Sequence, residues 1–212
     1  MQTSFILSAS LAIHAAIVAN EADIESLDRA IGDGDHYINM KRGSEAAASM
    51  YNELLALPAD EALNKIGSKL LSTIGGAAGP LFASFCMGMA KIVKHNGGNT
   101  ALEIAAAFAA GVQAIVQRGK AQVGEKTMLD VLVPVSTHFT LLAAEGKSNI
   151  EIARALKLTA DQGLESTRNL IATKGRAAGL GERAIGHLDA GAKSCQVMVH
   201  TVCDLVIQGK NS

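Results

Sequence analysis

Asp28, Asp33 and Asp35 fall within eight positions of the segment Leu27-Asp28-Arg29-Ala30-Ile31-Gly32-Asp33-Gly34-Asp35-His36-Tyr37-Ile38-Asn39. Three carboxylates this close repel one another unless a cation sits among them, and hard oxygen donors select Mg²⁺, Mn²⁺ or Ca²⁺ over Zn²⁺. A calcium loop of EF-hand type opening at Asp33 fails, because its last position holds Ser44 where a bidentate Glu is required, and the central Gly is missing. A plainer role competes with the metal cage. Asp35 can cap the helix that begins near His36 while Asp28 and Asp33 remain solvated.

A second candidate is the Gly-rich connection Ser72-Thr73-Ile74-Gly75-Gly76-Ala77-Ala78-Gly79-Pro80. Its small side chains let backbone amides approach a phosphate, and Pro80 suits the first turn of the helix that follows. It is neither a Walker loop, since no G-K-[ST] follows, nor a dinucleotide fingerprint, since no strand precedes it. A tight interhelical turn fits the same residues. Two further loops carry positive charge: Gln117-Arg118-Gly119-Lys120 through Lys126-Thr127-Met128, and Thr173-Lys174-Gly175-Arg176 through Arg183, followed by Gly186-His187-Leu188-Asp189-Ala190-Gly191. Arg118, Lys120 and Lys174 read as cations at helix C-termini. If these four loops meet at one end of the fold, they combine a metal cage, an amide cradle and cationic clamps, the parts phosphoryl transfer needs. His14, His95, His138 and His200 read as structural or surface groups, and no spacing supports a Ser/His/Asp triad or a Cys/His pair.

The elements that must position these loops are helices. Leu102, Ala105, Ala109, Val112 and Val116 advance by three and four residues, as do Ile152, Leu156, Gly163 and Leu170, and Cys195, Val199, Val202 and Val206. Thr100 with Glu103, and Ser148 with Glu151, fit the capping box and fix two helix starts. Other helical stretches lie near 4–20, 21–30, 37–56, 60–73, 79–95, 127–145 and 192–208. Met128 to Val133 is the best strand candidate, but it runs into Pro134 and reads equally as an interrupted helix. The expectation is therefore an all-α chain: a closed barrel or bundle of about eight antiparallel helices joined by short loops, with the functional loops at one end.

Composition agrees. Hydrophobic residues make up 49% of the 212, charged residues 18% and aromatic residues 3%, so the core is aliphatic and the whole chain reads as one domain, 1–212. A formal net charge of -1 argues against the electrostatic grip that nucleic-acid binding requires. Cys86, Cys195 and Cys203 sit in apolar helical pattern and read as buried reduced thiols. The apolar stretch from Phe5 to Val18 has no preceding Lys or Arg, contains His14 and is shorter than the ~20 residues a span needs, so no membrane role and a cytoplasmic location are expected.

Taken together, the strings LDRAIGDGDHYINMKRG, LLSTIGGAAGPLF, RGKAQVGEKTMLDVLVPV and KGRAAGLGERAIGHLDAGAKS resemble the nucleotide-binding L-subunit family of dihydroxyacetone kinases, also found as the C-terminal domain of single-chain enzymes. The resemblance runs in order from residue 27 to residue 194. It implies a barrel of eight amphipathic helices with ADP or ATP at one end. It implies that Asp28, Asp33 and Asp35 hold two Mg²⁺ ions bridging the nucleotide phosphates and, with Arg176, carry the transfer. His36 and Asn39 match residues at the phosphate site, and Thr73, Gly76, Ala77 and Ala78 the loop approaching the phosphates. Gly119, Thr127, Met128 and Arg176 match positions around the nucleotide, and Asp189, Ala190 and Gly191 the closing loop. Lys126 and Asp130 share a motif with Thr127 but acquire no role.

The chain departs from the family at Tyr37, where Gly is common, at Ala78, where Ser is common, and at Ala190, where Pro is common. No metal ligand is removed. The implied activity is phosphoryl transfer to a short ketose held on a separate K-type subunit, with the bound ADP recharged by a phosphotransferase-system protein of the M type. The alternatives are a subunit using free ATP on dihydroxyacetone or erythrulose, and a non-enzymatic ADP-dependent adaptor.

Overall fold

In the computed structural model, which describes residues 1–209, the apolar stripes become helices packed side by side. In chain order they are α1 (Thr3–Ala19), α2 (Glu21–Ile31), α3 (His36–Ser49), α4 (Tyr51–Leu54), α5 (Ala59–Thr73), α6 (Ala78–Asn96), α7 (Ala101–Gly119), α8 (Leu129–Ala144), α9 (Asn149–Ser166) and α10 (Ala190–Ile207). Two 3₁₀ segments, Thr167–Asn169 and Arg176–Ala184, lie between α9 and α10. Among the described residues there is no strand.

Both capping boxes form. The Thr100 hydroxyl accepts from the Glu103 amide at 3.2 Å while the Glu103 carboxylate accepts from the Thr100 amide at 3.0 Å. Ser148 and Glu151 repeat the exchange at 3.3 and 2.9 Å. The stretch read as one helix over 37–56 is two, because the chain breaks at Met50 and turns Leu54 into the core. The ambiguous segment before Pro134 is helical. Pro134 has no N–H to offer Asp130, and α9 approaches α8 there at Gly163, where a Cβ would lie 2.5 Å from the Asp130 carbonyl oxygen.

Helix-to-helix packing closes a ring. The helix α1 packs on α3, α3 on α5, and each of α5 to α9 on its successor; α10 returns to α1, with α2 lying against α3 and α10. The core inside is mostly aliphatic, with Ile17, Ile24, Leu54, Ile115 and Val131 buried. Phe85, Phe108 and Phe139 tie α6, α7 and α8 together in edge contacts with centroids 5.4 and 6.3 Å apart. Cys86, Cys195 and Cys203 are free thiols, and burial raises Cys203 to about 12. Among the described residues no single helix is long and apolar enough to cross a membrane; α1 and α2 reach that length only as a pair bent by 65°.

The close approach at Gly163 gives a test of the packing. Gly163→Ala should lower stability in urea by about 1–3 kcal/mol, because the new methyl meets backbone that cannot yield. Gly179→Ala, with open space around it, should stay within about 0.5 kcal/mol of wild type.

Candidate functional site

The connection α2–α3 and every second connection from α5 onward, α5–α6, α7–α8 and α9–α10, meet at one cavity of about 740 Å³. Asp28 is at its base, buried in the last turn of α2. Its carboxylate folds back over Gly32, where a Cβ would come within 1.9 Å of Oδ1, and it accepts the first amide of α3, His36 N–H, at 2.9 Å. Asp28 thus does the capping that the sequence offered to Asp35, whose side chain makes no cap bond. Asp33 and Asp35 are exposed, and each of the three presents an oxygen within 4.8 Å of the others. This is a carboxylate donor set that fits a hard divalent cation.

His36 stands beside them. The Ser194 hydroxyl donates to the Ala190 carbonyl at 3.1 Å, so its oxygen accepts from His36 Nε2–H at 2.8 Å. Burial lowers the His36 pKa more strongly than Asp28, Asp35 and Asp33 raise it, leaving the ring neutral at pH 7. Across the cavity, Asn39 lies against Gly75, and Gly76 turns the chain with φ +65° into α6. Among the described residues no side chain caps the start of α6, so its first amides and its positive dipole end face the cavity at Ala77 and Ala78.

On the third side, Arg176 Nε pairs with Asp33 at 2.7 Å, an exposed contact. Asp189 caps α10 by accepting the Ala192 amide at 2.7 Å, and burial pushes its carboxyl up to about 6. Gly119, Thr127, Met128, Ala190 and Gly191 complete the expected set at the cavity wall. Thr73 stays outside the lining, its hydroxyl donating to the Lys69 carbonyl at 2.7 Å. Tyr37 is buried in the core away from the cavity, whereas the other two family departures, Ala78 and Ala190, lie in its wall.

Several cavity residues have no distinct sequence signal. Leu81, Ile115 and Leu129 form an apolar wall with Met128, yet their spacing is that of any core helix. Arg118 lines the cavity from the last turn of α7, whereas Lys174, read as a helix C-terminal cation, lines it from a bend outside any helix. Lys126 is fully buried with a left-handed backbone, φ 59°, and Asp130 holds the turn around it by accepting the Gly124 and Thr127 amides at 2.6 and 2.7 Å.

Residues 30–204 match the family model described as the DAK2 domain. The chain belongs to the DAK2 domain family. It is 36% identical over 190 residues to the Lactococcus lactis PTS-dependent dihydroxyacetone kinase, ADP-binding subunit DhaL, covering 90% of this chain and 91% of that one. It is 37% identical over 179 residues to the Escherichia coli PEP-dependent dihydroxyacetone kinase, ADP-binding subunit DhaL, covering 83% and 84%. The dihydroxyacetone kinase of C. freundii in complex with AMP-PNP and Mg²⁺ shares the fold with a TM-score of 0.72 at 22% identity, over 93% of this chain and 33% of that one. The DAK2 fold of this chain is therefore all-helical, as its periodicity required.

Arg176 offsets only one of the three negative charges, and the repulsion that remains predicts an asymmetry. In chelator, Asp35→Asn should be within about 0.5 kcal/mol of wild type or more stable. Excess Mg²⁺ should raise the melting temperature of the wild type and leave the variant unmoved; a wild type indifferent to Mg²⁺ contradicts the cation site.

Proposed function

We propose that this chain is the ADP-binding subunit of a dihydroxyacetone kinase, acting as one domain and passing a phosphoryl group from its nucleotide to a ketose on a K-type partner subunit. The observation that carries this reading is the meeting, in one cavity, of the Asp28, Asp33 and Asp35 oxygens, the uncapped start of α6 and Arg176. The DhaL relatives, with their PTS- and PEP-dependent names, support recharging of the bound ADP by a phosphotransferase-system protein of the M type.

Each wall has a task. Leu81, Ile115, Met128 and Leu129 offer an apolar face to the base, with Gly119 admitting close approach. Gly76, Ala77 and Ala78 direct backbone amides at the phosphates, so Ala78 serves without a hydroxyl. Asp28 is the fixed member of the trio, while Asp33 and Asp35 complete it from the open side. Two Mg²⁺ ions held there would supply the charge that screens the phosphate oxygens. Arg176, beside Asp33, orients the phosphate chain toward the mouth. There the bond from the γ-phosphorus to the ADP oxygen breaks, a new bond forms to the ketose hydroxyl oxygen, and the hydroxyl proton passes to solvent water at the open mouth, leaving ADP bound.

Reconstitution with K-type and M-type partners tests the reading. Phosphoenolpyruvate-driven phosphorylation of dihydroxyacetone should require this chain, and Asp33→Asn should slow it at least about tenfold. Undiminished transfer by Asp33→Asn refutes the metal assignment, and turnover of free ATP without the M-type protein replaces the recharge with an ordinary kinase cycle.

A further inference from the structure

The excursion between α9 and α10, residues 167–189, carries Arg176 to Asp33 and is the longest connection in the described chain. Its outer part rests on a small apolar cluster of Ile31, Ala172, Ala177 and Ala184, separate from the main core. Its neck is stitched by three bonds: the Gly186 amide donates to the Arg168 carbonyl at 2.8 Å, Arg168 Nη1 donates to the Gly186 carbonyl at 3.2 Å, and the Asp189 amide donates to the Thr167 hydroxyl at 3.1 Å.

Into this neck, from the opposite loop, comes Lys126. Its Nζ donates to the Thr167 carbonyl on one strand of the neck at 2.6 Å and to the His187 carbonyl on the other at 2.5 Å. The side chain is 1% exposed, and an ammonium is costly to bury where a Leu or Met would pack. What the ammonium adds is a directional bond to each side of the neck at once, beside the C-terminus of α9 where a cation is favoured. Asp130 fixes the turn on either side of Lys126, which lines the cavity together with the next two residues, Thr127 and Met128. One side chain therefore joins the loop bearing the apolar wall to the loop bearing the cation.

We infer that Lys126 is a positioning residue, which clamps both ends of the 167–189 excursion and so sets Arg176 over the phosphate site, its ammonium held by the two carbonyls rather than offered to the nucleotide. This rests on the nucleotide reading above, and the experiment separates the two. Trypsin cleavage after Lys174 and Arg176 reports the order of the excursion with no nucleotide present, and calorimetry with ADP and Mg²⁺ reports the site. In Lys126→Met the excursion should be cut about tenfold faster and ADP should bind about tenfold to a hundredfold more weakly. Lys126→Arg, which keeps charge and N–H donors, should recover part of both. The double variant Lys126→Met/Arg176→Ala should bind ADP no more weakly than Lys126→Met alone, since one residue acts through the other.

A Lys126→Met protein that melts lower, yet has wild-type cleavage and ADP affinity well below its melting temperature, overturns the inference, as does independent multiplication of the two effects. Should Lys126→Met not fold, Lys126→Gln, whose shorter amide cannot reach both carbonyls, takes its place, and unchanged cleavage there overturns the inference equally. A wild type that fails to bind ADP with Mg²⁺ defeats the nucleotide reading, while the cleavage rates still decide the clamp.

Discussion

Three carboxylate oxygens held within 4.8 Å of one another are the constraint on which the rest of this structure turns. Coulomb repulsion would drive them apart if they sat on free side chains, so one must be fixed. Asp28 is that one. Its place in the last turn of α2, the missing side chain at Gly32 and the His36 amide hold it, and α3 starts where that bond is made. Burial of Asp28 beside exposed Asp33 and Asp35 leaves the cluster anchored on the protein side and open on the other.

The ring of helices makes this arrangement useful. Because consecutive helices reverse direction across short turns, alternate connections return to the same end, bringing the α5–α6 glycines and the two basic loops to the carboxylates. The small residues have matching work in the packing: Gly163 lets α9 touch the α8 backbone next to Asp130, and Gly79 sits where a Cβ would be 2.4 Å from the Ile74 carbonyl. The aliphatic composition is thus part of the site. Helices that pack this closely hold their termini in a fixed relation.

Much of this was legible in the sequence, and for local reasons. Capping boxes are read from residues three apart, and both formed; the three aspartates fall within eight positions of the sequence, and the fold keeps an oxygen of each within 4.8 Å of the others. What escaped depended on contacts remote in sequence. Asp35 looked like the cap of α3, but Asp28 reaches that amide from eight residues away. The break at Met50 follows from where Leu54 finds the core, which no local pattern records. Thr73 stands in the glycine-rich string, yet its hydroxyl turns back to its own helix. Lys126 acquires no role from its motif, and only carbonyls 41 and 61 residues away show why it is buried.

If the carboxylates and the phosphate-facing loop act together through a divalent cation, calorimetric titration of ADP across a range of Mg²⁺ concentrations reveals the coupling. ADP affinity should then rise steeply with Mg²⁺, and ADP should tighten Mg²⁺ binding by the same factor, as linkage requires. Equal ADP affinity in chelator and in saturating Mg²⁺ would contradict the coupling.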